Sequence, residues 1–155
     1  DGDVSPKGDN PGFVKIVDDK TIVIPDRKGN NRMDSLQNIL DNPSVGILFM
    51  IPGVHETLRV NGRAEISIDP EIIDPLAVNG SAPASAIVVH IEEVYLHCAK
   101  ALARSRIWSQ DAHVAKGVIA PAGRIFADQV GADPADLEKT YDEIIAGALA
   151  EEGRT

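Results

Sequence analysis

Residues 22–36, Ile-Val-Ile-Pro-Asp-Arg-Lys-Gly-Asn-Asn-Arg-Met-Asp-Ser-Leu, gather the cations Arg27, Lys28 and Arg32 into one short stretch. Cationic side chains grouped in this way bind anions, and a phosphate matches the forked donors of arginine. Asn31 adds a second reason. It is a good N-cap, so a helix is expected to begin there, with its free backbone N–H groups and the positive end of its dipole at the same spot. The chain carries a formal net charge of -9, and a basic cluster against that background points to one specific anion. A solvated turn bearing surface charges would have the same composition, and on these residues alone both readings stand.

The elements that must position these cations follow from patterning. Residues 5–12, Ser-Pro-Lys-Gly-Asp-Asn-Pro-Gly, form an irregular opening. Residues 13–17 and 21–24 are expected as a hairpin about Asp18-Asp19-Lys20. From Asn31, a helix with Asp34 at its third position buries Leu36, Ile39 and Leu40 on one face and ends before Pro43. Residues 45–51 are a continuous apolar run, expected as a strand buried on both faces. Residues 57–68 alternate, which places Thr57, Arg59, Asn61 and Arg63 on a polar face. Residues 69–85 contain three prolines and predict irregular chain with one helical turn. Residues 86–98 read as a long strand whose parity shifts at Glu92-Glu93, the mark of a bulge. Residues 99–107 read as a helix. A last helix starts at Asp133-Pro134, with an apolar stripe of Leu137, Tyr141, Ile144, Ile145 and Leu149 expected to be buried. Many short strands with few helices give a mainly β fold with α, a small barrel with helical additions.

Composition sets the bounds. At 155 residues, 43% hydrophobic and 25% charged, the chain is expected to form one globular domain, with 109–155 as a helical C-terminal extension. Its acidity argues against a nucleic-acid surface. No apolar run is long enough to span a bilayer. The single cysteine, Cys98, allows no internal disulfide; it is expected as a small buried residue and fits a cytoplasmic setting. The four histidines show no tight ligand spacing, so no metal is expected. No secretory leader is visible. Residues 1–4 read as a turn entering a strand, and an upstream helix and strand are expected to precede Asp1.

Taken in order, several of these segments resemble the pyridoxamine 5′-phosphate oxidase-like flavoproteins. They are Ile24-Pro25-Asp26, Asn31-Arg32, Asp41-Asn42-Pro43-Ser44-Val45-Gly46-Ile47-Leu48-Phe49, and Thr57 followed by Val60-Asn61-Gly62-Arg63-Ala64. The opening Ser5-Pro6-Lys7-Gly8-Asp9 and the run Glu56-Thr57-Leu58-Arg59-Val60-Asn61-Gly62-Arg63-Ala64 look like a bacterial branch of that family. The resemblance covers about residues 4–108. It implies a split β-barrel with short flanking helices and a homodimer holding two FMN molecules in clefts at the subunit interface. The activity implied is that of an FMN-dependent oxidoreductase acting on a small substrate. Arg32 matches the phosphate-binding cation, with Asn31 beside it and Arg27 near it. Thr57 matches a polar residue that faces the flavin, and Pro25 and Asp26 would run along the cofactor. Arg106 and Trp108 are the counterparts of an Arg and a Trp given by the second subunit. The arginine-rich strand start and the lysine ending that strand in the true oxidases have no match here at equivalent spacing, and Lys7 is the candidate to substitute for one of them. The Arg-x-His pair that holds pyridoxal phosphate is replaced by Arg104-Ser105-Arg106, so oxidation of vitamin B6 is not implied. The same fold can also carry deazaflavin or haem, the latter with His55 or His97 as axial ligand, or serve as a non-catalytic flavin-binding module.

Overall fold

A computed structural model of the chain describes residues 3–29, 32–115 and 117–151. The first hairpin forms as patterned: β1 (Lys15–Asp18) pairs antiparallel with β2 (Thr21–Asp26). Asp18 closes the turn by accepting the backbone N–H of Lys20 at 2.7 Å. That bond, helped by the Thr21 hydroxyl, holds the Asp18 carboxyl below the usual carboxylate range. The chain continues through α1 (Asp34–Asp41), β3 (Ser44–Phe49), β4 (Thr57–Ser67), the short α2 (Pro70–Ile73), a 3-10 turn at Asp74–Leu76, β5 (Ser85–His97) and α3 (Lys100–Ser105). A second 3-10 turn at Gln110–Ala112 precedes α4 (Ala122–Val130) and α5 (Pro134–Glu151).

The five strands form one sheet in the order β1-β2-β5-β4-β3, with every pairing antiparallel. Among the described residues the sheet stays open, with β1 and β3 at its edges. The architecture is therefore mixed α and β around an antiparallel sheet, where the sequence suggested a barrel. Strand order also decides which strand is buried on both faces. Ile22 and Ile24 of β2 join Ile87 and Val89 of β5 in one cluster, covered by Leu36 and Ile39 of α1. Val23, Ala86 and Val88 look the other way, against Leu76. Interior position thus gives double burial to β2 and the first half of β5. The run expected to have it, β3, is an edge strand whose residues alternate between half-buried and exposed.

The bulge expected at Glu92-Glu93 is present. Asn61 of β4 faces Glu93 while Gly62 faces Ile91, so Glu92 is the extra residue. Gly62 fits because a Cβ there would strike the His90 carbonyl oxygen. Past the bulge β5 is exposed throughout, and Cys98, expected to be buried, is exposed immediately after it.

By internal contacts the chain divides into two compact units, residues 1–108 and 109–155. In the second, α4 ends at a left-handed Gly131, and Asp133 caps α5 by accepting the Ala135 N–H at 2.9 Å. Phe126 meets Tyr141 with ring centroids 5.8 Å apart. The α5 stripe is not buried as expected: Ile144 is 60% and Leu149 44% exposed. α4 lies within residues 109–155, expected as a helical extension, but its bounds were not anticipated, although Pro121 before it and Gly131 after it are the usual boundary residues. No helix among the described residues is long and apolar enough to cross a membrane.

Candidate functional site

The candidate residues fall into two groups at opposite ends of the sheet. The first gathers where β2 ends. Asp26 is the last residue of β2 and faces Ser85, the first of β5; the Ser85 hydroxyl donates to Asp26 Oδ2 at 3.2 Å. Lys7 approaches the other oxygen, Nζ to Oδ1 3.9 Å. The segment carrying Lys7 is tied to α1 through Ser5, whose hydroxyl lies 2.7 Å from that of Ser35 in the first turn. Pro25 precedes Asp26 in the buried part of β2. The opening segment therefore touches both the end of β2 and the first turn of α1.

The helix start differs from expectation. Asn31 lies outside the described residues. The helix begins at Asp34, with Met33 as N-cap and no side-chain cap bond. Asp34 is thus the first helical residue rather than the third, a position favoured by the dipole. Its carboxylate pairs with Arg32 through Nε at 2.9 Å and Nη2 at 2.5 Å. The Arg32 side chain is 74% exposed.

Arg27 behaves otherwise. Its Nε donates to Asp9 Oδ2 at 2.7 Å and its Nη2 to the Leu76 carbonyl at 2.8 Å. The Asp9 side chain is only 1% exposed. Asp9, Asn10, Phe13, Lys15, Arg27 and Leu76 are among the residues lining a small cavity beside this pair. Nothing in Gly8-Asp9-Asn10-Pro11 marks a buried acid; the sequence there reads only as a turn.

The second group lies at the far end. Thr57 opens β4 opposite His97, at the last register position of β5, and is 5% exposed. Trp108 is half-buried, its Nε1–H donating to the Val54 carbonyl at 2.8 Å. Arg106 ends α3 in the left-handed conformation, φ 53°, which places a costly backbone where glycine is usual. On the exposed face next to Thr57, Arg59 donates to the Tyr95 hydroxyl at 3.1 Å and lies 5.6 Å from its ring centroid. One step further, Asn61 donates to Glu93 at 2.7 Å.

From Ser85, beside Asp26, to His97, beside Thr57, runs the whole of β5, roughly 40 Å of strand at about 3.3 Å per residue. The register therefore places Asp26 and Thr57 against opposite ends of β5. Among the described residues, no three His, Cys, Asp or Glu side chains converge to hold a metal.

Residues 1–98 match the family model for pyridoxamine 5′-phosphate oxidase. Among solved structures, the tagged HupZ protein of Group A Streptococcus is 22% identical, with 54% of this chain and 68% of that chain covered and a TM-score of 0.44. A histidine-to-alanine variant of that protein gives 21% identity, 55% and 73% coverage and a TM-score of 0.45. No curated protein matches significantly.

Proposed function

The chain belongs to the pyridoxamine 5′-phosphate oxidase family, and from this we propose that it is an FMN-binding oxidoreductase acting on a small substrate. The observation that carries the reading is the convergence at the end of β2. There the Ser5–Ser35 contact and the Lys7–Asp26 pair bring the opening segment to the strand end and to the first turn of α1. The donor set suits a phosphate ester: an exposed guanidinium from Arg32, an ammonium from Lys7, two serine hydroxyls, and the N–H groups at the start of α1, which its N-cap residue Met33 does not cap. Asp26 sits beside Lys7 and Asp34 beside Arg32, holding these cations near their places, and a phosphate would compete with the two carboxylates for them.

The distance between the two residue groups supports a two-chain site. In this reading Lys7, Pro25, Asp26, Asn31 and Arg32 come from one protomer, with Thr57, Arg106 and Trp108 from its partner, and the open sheet is one part of a split barrel. Exposed apolar residues at the Thr57 end fit a covered interface, including Leu48, Met50, Ile51, Val94 and Leu96. FMN, when bound, supplies an isoalloxazine ring that takes up and returns reducing equivalents. The chain's own work is to bind the phosphate with Arg32 and Lys7 and to hold the ring. No side chain is assigned as a general base.

The test is a visible absorption spectrum of the purified protein, followed by FMN titration of the cofactor-free fraction. A flavin spectrum, or FMN uptake that weakens in Arg32→Ala, supports the reading. A colourless chain that ignores FMN retires it, and deazaflavin and haem would be titrated next.

A further inference from the structure

Arg27 sits in the basic stretch that first suggested an anion, but its guanidinium joins three segments distant in sequence. Nε reaches Asp9, 18 positions away, and Nη2 reaches the Leu76 carbonyl, 49 positions away. The carboxylate it meets is buried, at 1% exposure, while the Arg27 side chain itself is 23% exposed. A carboxylate out of water must be matched by a cation and by hydrogen bonds, so this contact is held far more strongly than a surface pair.

Its position gives the contact a consequence. Asp9 follows Lys7 with only Gly8 between them, so fixing Asp9 fixes the Lys7 backbone to within about two Cα steps of 3.8 Å. On the other side, Ser5 is held to Ser35 at 2.7 Å. Lys7 thus hangs between two anchors, and its Nζ rests 3.9 Å from Asp26. Asp26 and Arg27 are neighbours at one strand end, and both hold the same passing segment.

We propose that Asp9 and Arg27 form a clamp that sets where Lys7 sits at the anion site. Asp9 is then a positioning residue for that site, and Arg27 serves the clamp rather than the phosphate. The proposal rests on the reading of this end of β2 as the anion site, and it has two tests. The first needs no cofactor. The whole chain is treated with a limiting amine-reactive acetyl ester, and the Lys7 modification rate is read by peptide mass spectrometry against Lys100. Asp9→Asn is expected to raise the Lys7 to Lys100 ratio several-fold; an unchanged ratio overturns the clamp. Arg27→Lys keeps a cation for Asp9 but cannot fork to the Leu76 carbonyl. It is expected to raise the ratio by a smaller factor, and it replaces Asp9→Asn if that variant does not fold.

The second test is a double-mutant cycle in FMN affinity. Asp9→Asn and Lys7→Ala are each expected to weaken binding roughly tenfold, and the double variant to bind no worse than Lys7→Ala alone, since Asp9 acts through Lys7. Losses that multiply to about a hundredfold would show that Asp9 does not act through Lys7, and so overturn the positioning role. Arg32→Ala, titrated alongside, separates the two ideas. If it leaves FMN affinity intact, the phosphate reading falls, while the labelling ratio still decides the clamp.

Discussion

Arg32 presents its guanidinium at 74% exposure, held by Asp34 alongside. Truncation to alanine removes charge-assisted bonds to a phosphate and is expected to weaken FMN binding by about 1.5–3 kcal/mol, at least tenfold. Flavin fluorescence titration measures this. The same change should leave folding stability nearly untouched, because an exposed pair contributes about 0–1 kcal/mol. Arg27→Ala should do the reverse in urea denaturation, costing far more stability than Arg32→Ala, since it strips a buried carboxylate and a carbonyl of a donor. Trp108→Phe keeps one aromatic ring but loses the indole bond to Val54 and part of the indole volume. A loss of about 1 kcal/mol in urea denaturation is expected. These side chains cannot be ranked by type, because what distinguishes them is whether water or protein surrounds the charge.

At the scale of elements, the paired strands β4 and β5 depend on one glycine. Gly62 lies opposite the bulge at Glu92, and a Cβ there would meet the His90 carbonyl. Gly62→Ala is expected to destabilise the sheet by about 1–3 kcal/mol or more, read as a lowered urea midpoint, because backbone must move to admit the methyl group. The β1–β2 turn carries a pH dependence. Asp18 has its carboxyl lowered first by the Lys20 N–H bond, then by the Thr21 side chain. A carboxyl depressed in the folded state adds stability that is fully present above its ordinary value near 3.9, and this is lost as pH falls through the lowered value. Asp18→Asn should therefore flatten the acid limb of the stability–pH curve, read from urea midpoints between about pH 2 and about pH 7 against the unmutated chain. The bulge was legible in sequence because it breaks a period-two pattern. The double burial of β2 was not, since a short apolar run looks the same in an edge strand and an interior one.

For the whole molecule, the expectation is that two copies complete each site. Arg32→Ala and Thr57→Ala would then damage opposite halves of it. Co-expressed, the two variants should form mixed dimers in which one site is doubly damaged and the other intact, so that full-affinity FMN binding returns to that fraction. Titration of the isolated mixed dimer measures it; no recovery would place Arg32 and Thr57 in separate sites or on the same protomer's half. The exposed apolar residues at the Thr57 end, Leu96 at 72% and Ile51 at 57%, give the reason to expect association.

The sequence by itself determined the local chemistry: the hairpin, the bulge, the Asp133 cap and the ordered segments by which the family is known. Each depends on neighbours a few residues apart, where residue type and period are sufficient. Tertiary structure alone decided which cations face water. Arg27 and Arg32 look alike in the chain, yet one meets a buried Asp9 and a distant carbonyl while the other is 74% exposed beside Asp34. It also decided that Thr57 and Asp26 stand a strand-length apart, because antiparallel pairing through β5 sends the two ends in opposite directions. Burial and long-range pairing are properties of the folded whole, and no local pattern encodes them.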